Sequence, residues 1–172
     1  ITSFDAVITK QAENPVINIR LVASSEFDDI NTRACASHAR QMEQGGFTGK
    51  DKQFCVLRND TGEVTDIYAG TAFPLSLYTL SSVFEKIRAE FSSNFLSSVS
   101  FALSNDLNED EATKAAIGWM LASYRFDVYK KDKNKSVLPV LVWPAKAHAV
   151  RALATAEGLC LLKTLINMPP NI

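Results

Sequence analysis

Histidine is almost missing from this chain, which carries 2 in 172 residues, and cysteine is scarce, with 3. Cys35, Cys55 and Cys160 lie far apart and form no C-x-x-C pair, so a zinc site built on thiolates and imidazoles has no ligand set to draw on. An odd number of widely spaced cysteines also argues against a disulfide-built scaffold and for a reducing compartment. No apolar run approaches the roughly 20 residues that cross a bilayer, and no basic stretch followed by an apolar one opens the sequence as a signal peptide would. Excess charge of either sign is missing too. The 18 basic and 19 acidic residues give a formal net charge of -1, too even a balance to draw the chain to nucleic acid or anionic lipid. Internal repeats and low-complexity tracts are absent.

What is present is a hydrophobic fraction of 47%, enough for one well-cored domain and too short a chain for two large ones. Runs rich in Val, Ile, Leu and Phe predict six strands at Asp5 to Thr9, Val16 to Val22, Gln53 to Leu57, Val64 to Tyr68, Phe95 to Leu103 and Val137 to Val142. Asn59-Asp60-Thr61-Gly62 separates the third from the fourth and reads as a hairpin turn, which makes that pair antiparallel neighbours. Helical patterns predict elements at Glu26 to Gln44, Leu75 to Phe91, Glu109 to Tyr124 and Ala145 to Ile166. In the third of these, Asn108 is placed to cap, with Glu109, Asp110 and Glu111 in the first turn, where the helix dipole favours negative charge. Ala112, Ala115, Ala116, Trp119, Met120 and Ser123 repeat at three and four residues, a small-residue face suited to close packing on a sheet. Alternation of this kind points to an α/β domain, a mixed six-stranded sheet with helices on both faces.

The candidate sites each have a simpler structural reading. Gly45-Gly46-Phe47-Thr48-Gly49-Lys50-Asp51 looks like a phosphate loop, but it has three residues where a P-loop has four and Asp51 where Ser or Thr would hold magnesium. It reads better as a glycine-rich helix ending. Gly70-Thr71-Ala72-Phe73-Pro74 reads as a turn. His38, near Arg33, Cys35 and Arg40, and His148, early in the last helix, have no carboxylate or second histidine at i+3 or i+4 to make a metal pair. Asp106, Glu109, Asp110 and Glu111 sit where capping explains them. Tyr124-Arg125-Phe126-Asp127-Val128-Tyr129-Lys130 alternates aromatic and charged groups and reads as an edge segment. Lys130-Lys131-Asp132-Lys133-Asn134-Lys135 reads as a solvated loop, since it offers no aromatic residue for base stacking. From the residues alone, no catalytic, cofactor-binding or metal site is assigned.

The last segment, Ala145 to Ile172, reads as a long helix halted by Pro169-Pro170, each of which lacks an amide hydrogen and forces an extended exit. With Ile1 where a methionine would stand, both ends suggest a piece of a longer protein. The order of pieces Gly118-Trp119-Met120-Leu121-Ala122-Ser123-Tyr124-Arg125-Phe126-Asp127-Val128-Tyr129-Lys130, a strand, then a long helix ending Leu165-Ile166-Asn167-Met168-Pro169-Pro170-Asn171, resembles the leucyl (cytosol) aminopeptidase family over essentially the whole chain. Phe47-Thr48-Gly49-Lys50 and Asp60-Thr61-Gly62 resemble less specific positions of its N-terminal domain. Lys163-Thr164 stands where the family usually has Arg-Asp, and Met168 replaces a common threonine.

The resemblance implies a macro-domain-like, non-catalytic N-terminal domain at 1–143, and at 144–172 a linker helix leading to a C-terminal catalytic domain outside this sequence. It also implies two divalent ions, zinc, manganese or magnesium, in that other domain, a homohexameric cytoplasmic parent, and peptide substrate bound only through the catalytic part. The domain itself would serve assembly, active-site access or regulation. Two alternatives stand beside it: a stand-alone macro-like module binding ADP-ribose or another nucleotide, which the fold suggests, and a DNA-binding accessory domain, as the resemblance to some family members implies and the even charge disfavours. On this reading Val150, Leu153, Leu161, Leu162 and Leu165 lack part of their natural cover and would fold back or pair with another copy.

Overall fold

A computed structural model describes residues 4, 7–12, 14–125 and 139–168. The strands are β1 (Ile8–Thr9), β2 (Val16–Val22), β3 (Phe54–Arg58), β4 (Val64–Gly70), β5 (Ser100–Leu103) and β6 (Val140–Val142). The helices are α1 (Phe27–Arg33), α2 (Ala36–Gln44), α3 (Leu77–Glu90), α4 (Ser93–Ser98), α5 (Glu109–Ser123) and α6 (Ala149–Asn167). The six strands form one sheet in the order β1-β6-β5-β2-β4-β3, and every pair is parallel except β3 with β4. That antiparallel edge is the hairpin expected from the sequence. Asn59 Oδ1 organises its turn, accepting from the amides of Thr61 (3.1 Å) and Glu63 (2.9 Å).

Alternate residues of the central strand β2 set the layers. Ile17, Ile19 and Leu21 enter the main core with Ile67, Ala69 and Phe101, beneath α3 and α5. Val22 points the other way, into a smaller cluster with Ile30, Met42, Phe47, Cys55 and Leu57 under α1 and α2. Helices lie on both faces, but the second layer is short, and Val16, Asn18 and Arg20 on the same face of β2 stay exposed. At the centre of the main core Trp119 meets Phe84 edge-on at 5.2 Å and Phe101 at 5.3 Å. Its indole N–H donates to the carbonyl of Pro139 at 3.2 Å, so the buried polar atom is satisfied.

Helix α5 starts where the sequence places it. Asn108 Oδ1 accepts from the Glu111 amide (2.9 Å), and Glu111 Oε2 accepts from the Asn108 amide (3.2 Å), a reciprocal capping pair. Its small residues pack against α3, not only on the sheet: a Cβ at Gly118 would lie 2.7 Å from Leu80 Cβ, so the two helices touch where a side chain is missing. On its other side, Ala116, Ile117, Met120 and Leu121 meet Ala152, Ala156 and Cys160 of α6.

Three expectations need correction. Residues 26–44 are two helices, because Ala34 and Cys35 are extended. In one continuous helix Ile30 and Met42 would be about 18 Å and about 120° apart, so they could not both reach the cluster under β2 and β3. The strand expected from Phe95 begins only at Ser100, because Ser92 caps a short helix through its bond from the Phe95 amide at 3.3 Å. The terminal helix begins at Ala149 rather than Ala145, with His148 as its cap. Asp5, Ala6, Val137 and Leu138 of the expected strands, Phe126 to Lys130, the lysine run Lys130 to Lys135, and Pro169 to Ile172 lie outside the described residues.

The Trp119→Ala variant is expected to lose about 3–5 kcal/mol of unfolding free energy in urea, because it empties the junction of α3, α5 and β5. A loss under about 1 kcal/mol would mean that this junction is not the packing centre.

Candidate functional site

In an open parallel sheet, ligands enter at the carboxyl ends of the strands where the strand order reverses, here between β2 and β5. In this protein that crevice is filled by the protein's own groups. The Asn105 carboxamide takes the place of the next strand residue, accepting from the Leu21 amide at 2.7 Å and donating to the Leu21 carbonyl at 2.8 Å. Beside it, the 45–53 loop lies across the ends of β2 and β4. A Cβ at Gly70 would stand 2.0 Å from the Lys50 carbonyl oxygen, and only glycine permits that approach. Two of the loop's amides are spent internally, since Gln53 Oε1 accepts from those of Thr48 (3.1 Å) and Lys50 (3.2 Å). They are not turned outward to cradle a phosphate.

The glycine-rich stretch is a helix ending, as its sequence suggested. Gly46 N donates to the Glu43 carbonyl and Phe47 N to that of Met42, both at 3.0 Å, which closes α2 with a left-handed Gly46. His38 Nε2 lies 3.5 Å from the Thr65 hydroxyl. His148 caps α6 through Nδ1, which accepts from the Arg151 amide at 3.2 Å. The acidic residues are not brought together around a cation. Asp106 pairs with Lys146 at 2.6 Å, Asp110 with Lys114 at 2.7 Å and with Arg151 at 3.4 Å, and Glu111 is held in the cap. The hydrogen bond from Lys146 and its charge hold Asp106 below the ordinary carboxylate range, and that from Lys114 does the same for Asp110. Burial pushes the Cys55 and Cys160 thiols up, away from the reactive thiolate. Among the described residues no three His, Cys, Asp or Glu side chains come together as a metal-binding group.

What the protein does present is an apolar face. Helix α6 buries only Ala152, Ala156 and Cys160, one narrow stripe at i, i+4 and i+8. On its opposite side Leu161, Leu162 and Leu165 are more than half exposed, at 52%, 53% and 57%, while Val150 and Ile166 are exposed above 70%. Of the five residues the sequence marked, Val150, Leu161, Leu162 and Leu165 are exposed, and Leu153 is half-buried against the cluster between α5 and α6. Next to this face a cavity of about 480 Å³ is lined by Phe4, Tyr124, Ala154, Gly158, Cys160 and Leu161. The Tyr124 hydroxyl and Thr164 Oγ1 bond across it at 2.8 Å. A helix apolar on both sides is built to be covered on both. No helix among the described residues is long and apolar enough to cross a membrane.

Sequence reasoning missed Asn105. The only signal was its place two residues past Leu103, the end of β5, since an Asn just beyond a strand can mimic backbone with its own amide.

Comparison with known proteins agrees with this picture. The family model for the M17 aminopeptidase N-terminal domain matches residues 17–142. A probable cytosol aminopeptidase of Gluconobacter oxydans is 28% identical over 98% of this chain, which spans 37% of that protein's length. One from Methylorubrum populi is 42% identical over 64 residues, a third of this chain. The crystal structure of cytosol aminopeptidase from Coxiella burnetii shares the fold, with a TM-score of 0.72 and 19% identity over 95% of this chain and 33% of its own. The bottromycin maturation enzyme BotP, solved in complex with Mn, matches at a TM-score of 0.56, also at 19% identity, over 90% of this chain and 32% of its own.

Replacing Asn105 with Ala should cost about 1–3 kcal/mol in thermal unfolding, because both Leu21 backbone groups lose their partner. Carbon-detected titration of Asp106 should give a midpoint below that of an unpaired aspartate, rising toward it in Lys146→Ala. Its lowered value means that the pair's contribution is present above the ordinary aspartate range and fades as pH falls through the folded-state midpoint. A midpoint that ignores Lys146→Ala would show the pair to be unimportant in solution.

Proposed function

The chain belongs to the M17 aminopeptidase family as its N-terminal domain, and on that premise we propose that it serves a peptidase domain elsewhere in the whole protein, as its non-catalytic partner. The whole protein, on this reading, is a cytoplasmic enzyme that removes amino acids from the N-termini of peptides. The observation that carries the proposal is the exposed outer face of α6, where Leu161, Leu162, Leu165 and Ile166 offer a continuous apolar stripe. Residues 144–172 are then a linker, with α6 docked by its small-residue side on α5 and by its aliphatic side on the catalytic domain. The whole protein assembles as a homohexamer, in which this domain acts through assembly, access or regulation.

The residues described here do not fit the two divalent ions of such an enzyme. Asp106, Asp110 and Glu111 are engaged by Lys146, Lys114 and the Asn108 amide, and Cys55 and Cys160 are buried thiols. Zinc, manganese or magnesium would be held in the catalytic domain, where a two-metal site polarises the scissile carbonyl and supplies hydroxide. The manganese of BotP is in keeping with that chemistry. The nucleotide alternative loses its best location, because Asn105 and the 45–53 loop occupy the crevice that it needs.

Two measurements test the reading. The purified chain with manganese should not hydrolyse a leucine chromogenic substrate, and turnover would overturn the assignment. Leu161→Ser with Leu165→Ser should cost the isolated chain only about 1–3 kcal/mol, since both are half covered there, while reducing its self-association and dye binding. The same pair in the full-length protein should lower stability by several kcal/mol, in the range of truncating buried aliphatics. An unchanged full-length protein would remove α6 from the domain interface.

A further inference from the structure

Gly158 stands in the middle of the 19-residue helix α6, where a glycine weakens a helix relative to alanine. The protein shows at Gly118 what such a glycine can serve. There a Cβ would lie 2.7 Å from Leu80 Cβ, and its absence lets α3 and α5 touch. At Gly158 a Cβ would meet no atom within 4 Å beyond its own helix. No neighbour among the described residues accounts for the missing side chain.

What lies beside Gly158 is space, the cavity of about 480 Å³. Val150, Ala154, Gly158, Leu161 and Leu165 follow one another at spacings of four, four, three and four, a single exposed row on the side of α6 away from the buried Ala152, Ala156 and Cys160. The row is an apolar ridge with a gap at its centre, and a gap in a ridge takes in a side chain of the facing element. The polar groups of the cavity wall are already paired with each other. Thr164 Oγ1 donates its one proton to the Cys160 carbonyl at 2.8 Å, so in its 2.8 Å bond with Tyr124 the tyrosine hydroxyl is the donor. Neither hydroxyl has a proton left to offer an entering group. Phe4, Ala154, Gly158, Cys160 and Leu161 complete the wall, and Glu157, the one charged lining residue, is exposed to water. What this cavity suits is apolar.

We propose that the cavity at Gly158 is a socket for one large apolar side chain of the peptidase domain, and that the absent Cβ of Gly158 is what admits it. The proposal rests on the docking of α6 against that domain and names the point at which the two interlock. The occupant is argued from where α6 falls in the comparisons. The N-terminal-domain model ends its match at residue 142, before α6 begins at Ala149, whereas the Gluconobacter relative aligns with 98% of the chain and is covered by it over only 37% of its own length. Helix α6 thus stands between the matched domain and the larger remainder of such a protein, with its open ridge uncovered by the first. A buried apolar anchor ringed by aliphatic side chains is the usual centre of an interface.

The test is a reversal of sign between two forms of the protein. In the isolated chain Gly158→Ala should melt about 1–4 °C higher, because the helix gains propensity and the added methyl has room. A lower melting temperature would mean that the glycine serves a contact inside the chain, and would overturn the proposal. In the full-length protein Gly158→Leu should fill the socket and make subtilisin cleavage between the two domains about tenfold faster or more. Leucine keeps the face apolar, so its effect reports lost space and not lost hydrophobicity. Cleavage of Gly158→Leu at the parent rate would overturn the socket. If Leu161→Ser with Leu165→Ser still accelerates cleavage in that case, α6 remains docked and only the socket fails; if neither variant does, the docking itself fails and the socket with it. A dimer of the isolated chain that Gly158→Leu abolishes, with the full-length protein unaffected, would assign the cavity to a second copy and also overturn the proposal.

Discussion

Close contact at α5 is the constraint from which the rest of the architecture follows. Eleven of its residues are buried, from Ala112 and Thr113 to the unbroken run Ala115 to Ser123, so it is an interior helix with neighbours on every side. Its small residues set how near those neighbours come. Gly118 lets Leu80 of α3 approach to contact, and Trp119 fills the space that this leaves toward Phe84 and Phe101. Ala116 on the far side admits Ala152 and Ala156 of α6. A contact made of alanines is close but narrow, and it spends little of α6's hydrophobic surface. The exposed aliphatic face of α6 is thus a consequence of how α5 is packed.

The same fold closes the place where its architecture would ordinarily hold a ligand. Parallel strands leave their carboxyl ends unpaired at the point where the order reverses, and a nucleotide commonly meets that need. Here Asn105 supplies the missing donor and acceptor for Leu21, and the 45–53 loop covers the neighbouring end of β4 at Gly70. With that crevice self-filled, what this mixed sheet offers a partner lies on its surfaces. That agrees with membership in a peptidase family whose N-terminal domain it matches.

Much of this was legible in the sequence where the signal was local. Val16 to Val22 is a strand over the predicted residues, the Asn59 turn makes the hairpin, and Asn108 with Glu111 begins α5. Two of the three features that escaped depend on distant partners. No breaker marks Ala34 or Cys35, and the chain turns there only because Ile30 and Met42 must reach one cluster. Phe95 to Ser98 looked like the start of a strand because Phe95, Leu96 and Val99 are apolar, yet the cap at Ser92 decided locally for a helix. Asn105 closes the crevice with a partner 84 residues away in sequence, which no periodicity reveals.

Magnitudes indicate how tightly such a domain would be coupled to whatever covers α6. Full burial of one exposed aliphatic side chain is worth about 1.5–3 kcal/mol. Leu161, Leu162 and Leu165 are already nearly half covered, so five residues including Val150 and Ile166 would gain roughly 5–9 kcal/mol at that rate. For a separate partner, association entropy would consume much of that gain. For a domain on the same chain the linker has already met most of that entropic cost, because the second surface is held at high effective concentration. The remaining energy is comparable with the 5–15 kcal/mol that holds a whole domain together. Covered in this way, α6 is a shared wall between two cores, and substitutions on its outer side act on both domains at once.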